Sequence, residues 1–165
     1  MMNFTKRAPA LFALAAGLAS AGCRDAGNVV QSLGQLAPRS VTPATSVALR
    51  GSDAVVTLIL DVRGDVGKIG SFTGRLRFDP TGLTYAGEVG IDDGTLRVSN
   101  IGVGEIRVAG ASAAGINVAT LASFRFVAID AAALRRMTFE LEELHGLSQA
   151  DLQPIVRSAA AGPIK

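Results

Sequence analysis

His145 is the only histidine of the 165-residue chain and Cys23 its only cysteine. Site chemistry must therefore come mainly from carboxylates, hydroxyls and guanidinium groups. A Ser-His-Asp centre needs a serine held against its base, and no Gly-x-Ser-x-Gly elbow occurs in the sequence. His145 precedes Gly146 at the end of an alternating stretch, the setting of a solvated turn histidine. Glu140, Glu142 and Glu143 supply enough carboxylates for acid–base work on a glycosidic bond. Glu140 and Glu142 share the outward side of that stretch, as residues of any solvated strand would. Asp92-Asp93 precede Gly94 without the alternating acidic spacing of a calcium loop, and Asp-Gly is itself a turn signal. Gly102-Val103-Gly104 runs into a strand, so it lacks the helix N-terminus that cradles phosphate. No catalytic residue, metal ligand or cofactor site is predicted.

The elements that would position these residues are strands. Phe72, Gly74, Leu76 and Phe78 alternate with Ser71, Thr73, Arg75 and Arg77, which marks a strand with one face buried and one in water. Asp79-Pro80-Thr81-Gly82 turns the chain, with a glycine that tolerates a positive φ, and Leu83 and Tyr85 restart the alternation. This pair of strands is the centre of the predicted domain. Before it come a short strand, Ser46–Leu49, and the apolar strand Ala54–Val62. After it, Asp92-Asp93-Gly94 reads as a hairpin turn before Thr95–Ser99, with Leu96 and Val98 facing in. Glu105–Ala109 follows, with Ile106 and Val108 inside, then a small-residue loop, Ala111–Asn117. Thr120–Ile129 places Phe124, Phe126 and Ala128 on one face, Asp130–Leu134 fits one helical turn, and Met137–Leu141 alternates again. Short strands every eight to twelve residues predict an all-β, antiparallel jelly-roll or Ig-like β-sandwich of about eight or nine strands.

The flanks read differently. Residues 1–22 have the parts of an export signal: Lys6 and Arg7, the apolar Leu11–Leu18, then small residues up to Cys23. The apolar run is shorter than the ~20 residues a spanning helix needs. Ala21-Gly22-Cys23 resembles a bacterial lipobox, which implies lipidation of Cys23; Ser20 departs from the branched residue usual at that place. Membrane attachment would come only through that lipid, in the periplasm or at the cell surface, with free secretion the lesser expectation. Residues 23–43 read as a flexible tether, 44–147 as the sandwich and 148–165 as a C-terminal tail. In that tail Ser148 would cap a short helix over 149–157. One cysteine permits no internal disulfide, so stability rests on the core.

The formal charge of +2 comes from sixteen basic and fourteen acidic residues. Lys6 and Arg7 lie in the leader and every acidic residue lies after it, so the remainder is neutral. It lacks the positive field that nucleic-acid binding requires. Trp is absent and Tyr85 is the single tyrosine, which argues against a flat aromatic platform for sugar rings.

The order of features over Val41–Leu147 resembles a cohesin domain of the carbohydrate-binding-domain superfamily. The likeness rests on the long strand Ala54–Val62, the Gly-containing strand into Phe78-Asp79-Pro80, Gly104–Ala109 and Leu121–Phe126. It implies a nine-stranded jelly roll, one sheet face of which docks a calcium-loaded dockerin. The function expected is a non-catalytic cell-envelope module that docks a protein partner, with a carbohydrate-binding module as the alternative. Alternation puts Arg75, Arg77, Arg97 and Arg107 on outward faces, where they are candidates for a binding surface. Charges there also keep a sheet soluble and discourage edge pairing.

Overall fold

The computed structural model describes residues 38–158. The leader, Cys23, most of the expected tether and the last seven residues lie outside the described residues.

Among the described residues, eight strands form two four-stranded antiparallel sheets packed as a β-sandwich. One sheet holds β1 (Ser40–Arg50), β2 (Asp53–Arg63), β7 (Ala122–Ala128) and β4 (Leu83–Glu88), in the order β1-β2-β7-β4. The other holds β5 (Leu96–Gly102), β6 (Glu105–Ala111), β3 (Ile69–Arg77) and β8 (Thr138–Gly146), in the order β5-β6-β3-β8. A single helical turn, α1 (Ala131–Leu134), is capped by Asp130, whose side chain accepts from the Ala132 N–H.

Alternation builds the core. Val56, Leu58, Phe124, Phe126 and Leu83 point inward from one sheet, and Phe72, Leu76, Ile106, Val108 and Phe139 from the other. Inward glycines make room for rings: a Cβ on Gly74 would lie 2.6 Å from Cε2 of Phe139, and one on Gly110 would collide with the Phe72 ring. Glycine in these strand interiors marks close approach by a neighbour.

Three expectations change, while Asp79–Gly82 turns the chain as expected, at the corner where it crosses the sandwich from β3 to β4. The Asp79 side chain accepts from the Thr81 N–H and hydroxyl, as turn chemistry predicts. Gly82 keeps a negative φ and is needed for space, since its Cβ would sit 2.6 Å from Cβ of Ala133. Asp92-Asp93-Gly94 is a second crossing, from β4 to β5, and not a hairpin turn. The first strand opens at Ser40 rather than Ser46, with Val41 fully buried, so ordered pairing begins inside the expected tether.

The third change concerns the C-terminus, where residues 149–157 form no α-helix. A 3₁₀ turn, Gln153–Ile155, follows a reversal at Gln149, which has φ 66°. Leu152 is buried, and its N–H donates to Leu144 O on β8. Val156 then bridges Val41 in parallel, and the Arg157 N–H donates to Val41 O. This strap crosses from the free edge of β8 to the free edge of β1 and closes one side of the sandwich.

Candidate docking face

The pairing registers align outward side chains of the second sheet in rows. Leu96, Ala111, Ser71 and His145 form the first row; Val98, Ala109, Thr73 and Glu143 form the second. Asn100, Arg107, Arg75 and Glu140 make the third, and Gly102, Glu105, Arg77 and Thr138 the fourth. An extra residue in β8 at the register shift adds Glu142 beside Arg75. The outer face therefore has two halves: one is apolar or small across β5, β6 and β3 with His145 and Glu143 on β8, and the other is charged.

Leu96 and Val98 carry the apolar half. They are 79% and 73% exposed, and Ala109 and Ala111 beside them are exposed too. The expectation that Leu96 and Val98 face the core is thus reversed, and with it the outward placement of Arg97. The cause is the Arg97 guanidinium. It turns under β5, where Nε donates to Leu121 O at 2.6 Å and Nη2 to Thr120 O at 3.2 Å. Asp93, four residues earlier, accepts from both terminal nitrogens at 2.8 and 2.7 Å. Its bonds from Arg97 hold the Asp93 carboxyl well below the usual carboxylate range, with the Thr95 N–H adding to the effect and desolvation opposing it. Side chains along a strand alternate strictly, so an inward Arg97 forces Leu96 and Val98 into water.

The charged half is internally paired. Arg75 reaches Glu105 at 3.5 Å and also Glu142; Arg77 stands 3.8 Å from Glu140 and Arg107 4.0 Å from Glu105. Arg75 is the anchor, with its side chain only 20% exposed, whereas Arg77 and Arg107 are more than half exposed. Three of the four candidate arginines thus share this face, and Arg97 alone is excluded from it.

The other candidates stay apart. His145 is half-buried within β8, not in a turn, and lies between Ser71 on β3 and Asp151 in the strap. Among the described residues no hydrogen bond joins those three side chains, and Asp151 instead accepts from the Gln153 N–H. No group of three or more metal-ligating side chains occurs among the described residues. The aromatic rings are used inside: Tyr85 packs edge-on to Phe126, which also takes the edge of Phe78.

No protein-family model matches the sequence, and no curated protein does. Solved structures do match in shape. The non-cellulosomal cohesin of the archaeon Archaeoglobus fulgidus superimposes with a TM-score of 0.54 at 19% identity, over 74% of this chain and 86% of that one. The fold is cohesin-like. The sixth cohesin of scaffoldin B from Acetivibrio cellulolyticus, solved in complex with Cel5 dockerin, gives a TM-score of 0.53 at 13% identity, covering 74% and 95%. A type II cohesin domain from the cellulosome of the same organism gives 0.52 at 11%, covering 75% and 93%. Among the described residues the cohesin-like sandwich has eight strands, one fewer than the nine that the resemblance implies.

Proposed function

We propose that this chain is a non-catalytic docking module, which binds a protein partner on the outer face of the β5-β6-β3-β8 sheet. The observation that carries it is the outward pair Leu96 and Val98, flanked by Ala109 and Ala111 and bordered by paired charges. Large apolar side chains in water, rimmed by polar groups, are the signature of an interaction surface. Partners of this kind gain affinity from a desolvated apolar centre and register from the rim. Cohesin neighbours solved with dockerins support a dockerin-type protein as the partner. Lipidation at Cys23 would hold the module at the cell envelope. A sugar platform has no matching observation, since the aromatic rings lie in or against the core.

The test is retention of proteins from envelope and secreted extracts of the source organism by the immobilised full chain, with calcium and with chelator. A calcium-dependent protein partner is expected. Leu96→Asp with Val98→Asp abolishes its retention and leaves the melting transition in place, because both side chains already face water. Retention of nothing, or equal retention by the double variant, would overturn the assignment.

A further inference from the structure

Each sheet of a sandwich has two edges, and an open edge presents unpaired N–H and C=O groups to any other strand. Here three edges are blunted. The strap covers β8 through Ala150 O and the Leu152 N–H, and covers the start of β1 at Val41. Further along, β1 carries Pro43, which has no N–H, and ends on exposed Arg50. Strand β4 is only six residues long and breaks register at Gly87, which has φ 131°. Strand β5 has none of these devices. It keeps unbroken register with β6 over seven residues and contains no proline.

The hydrogen-bond phase of β5 follows from its hairpin. A two-residue turn, Val103-Gly104, makes Gly102 and Glu105 a bonded pair, and bonded pairs recur at every second residue. Asn100, Val98 and Leu96 are then bonded to β6. Bonds from the Phe78 N–H to Gly104 O and from the Ser112 N–H to Gly70 O extend the β3–β6 ladder in the complementary phase, as this assignment requires. The N–H and C=O groups of Arg97, Ser99 and Ile101 therefore point to the open edge. Among the described residues, no loop or turn backbone bonds to them.

We propose that β5 pairs antiparallel with β5 of a second copy of this chain about a two-fold axis at Ser99, joining two four-stranded sheets into one of eight. In that register Arg97 of each copy lies opposite Ile101 of the other and Ser99 opposite Ser99, so all three edge residues of both copies form ladder bonds. Charge favours this occupant. Arg97 is the only charged residue of β5, and it is turned inward, neutralised by Asp93 and set opposite an isoleucine. Two copies thus meet without like charges face to face. A two-fold interface is self-complementary, so one edge serves both copies. The apolar halves of the two outer faces become neighbours, which extends the docking face without depending on what binds there.

The test uses the full chain with Cys23→Ser, which prevents lipid attachment, followed by sedimentation equilibrium and amide hydrogen exchange across a concentration series. The expected result is a monomer–dimer equilibrium in which the Arg97, Ser99 and Ile101 amides gain protection as dimer forms. Ser99→Pro removes one edge donor from each copy and no bond to β6. It weakens self-association by at least about tenfold, with the Val98 and Asn100 amides still protected. A chain that stays monomeric to millimolar concentration overturns the proposal. So does a dimer in which the three amides exchange as fast as in the monomer, or a dimer that Ser99→Pro leaves unchanged. Protection of the three amides in the monomer would place another segment of the same chain on the edge, and overturns it equally.

Discussion

Arg97 makes five hydrogen bonds, to the Asp93 carboxylate and to the carbonyls of Thr95, Thr120 and Leu121. It ties the β4–β5 crossing to the entry of β7 and fixes which side of β5 meets water. Arg97→Ala leaves three carbonyls without this donor, and each buried acceptor left unmade costs on the order of 1–3 kcal/mol. The expected outcome is a fall in stability of about 2 kcal/mol, read as a lower urea midpoint with an unchanged slope. A second residue-scale network closes the β3–β4 corner. Thr81, followed by Arg136 at 3.0 Å, holds the Asp79 carboxyl down to about 2. Arg136 also bonds Asp130 at 3.2 Å, joining the corner to the cap of α1. A carboxyl depressed in the fold binds protons less readily there than in the unfolded chain. Its stabilising effect is complete above the ordinary carboxylate range and fades as pH falls from about 4 toward 2. Asp79→Asn should therefore lower the urea midpoint at pH 7 and lessen its fall between pH 4 and 2. A parallel descent of variant and parent would show that Asp79 does not set the acid response.

At the scale of elements, the strands with large apolar residues on one parity were legible. Phe72 and Leu76 in β3, Ile106 and Val108 in β6, and Phe124 and Phe126 in β7 all face the core as alternation requires. Strand β5 was not. Leu96 and Val98 on one parity outweigh Arg97 and Ser99 on the other by hydrophobicity, so the pattern alone puts the wrong face inside. The signal that could have corrected it was Asp93 four residues before Arg97, a carboxylate placed to neutralise an inward guanidinium. That one reversal hid the apolar half of the sheet's outer face, while the outward placement of Arg75, Arg77 and Arg107 was legible. The two crossings between sheets escaped for another reason. Turn residues specify that a chain reverses, and only packing of both faces decides whether it reverses within a sheet or across the sandwich.

For the molecule as a whole, the two long sides of the sandwich are closed by different means. Arg97 and its carbonyls close the β4–β5 side with hydrogen bonds, and the strap closes the β8–β1 side with Leu152, Ile155 and Val156. The strap is linked to both sheets, since Leu152 bonds Leu144 on β8, the Gln153 side-chain amide donates to Leu141 O and Arg157 bonds Val41 on β1. Its removal would expose Val41 and Leu144, both fully buried, and would free the β8 edge that borders the charged half of the outer face. Leu152 is the test residue because it is buried without belonging to either sheet. Leu152→Ala removes a buried side chain at a cost of about 2 kcal/mol or more, read as a lower thermal midpoint. A chain ending at Gly146 loses the backbone bonds as well and should fall further. If the strap closes the seam as the contacts indicate, both changes raise hydrogen exchange in β1 and β8 first and leave the β5 and β6 amides protected until global unfolding. Uniform loss of protection across both sheets would mean instead that the seam and the core open together, with the strap an ordinary part of one cooperative unit.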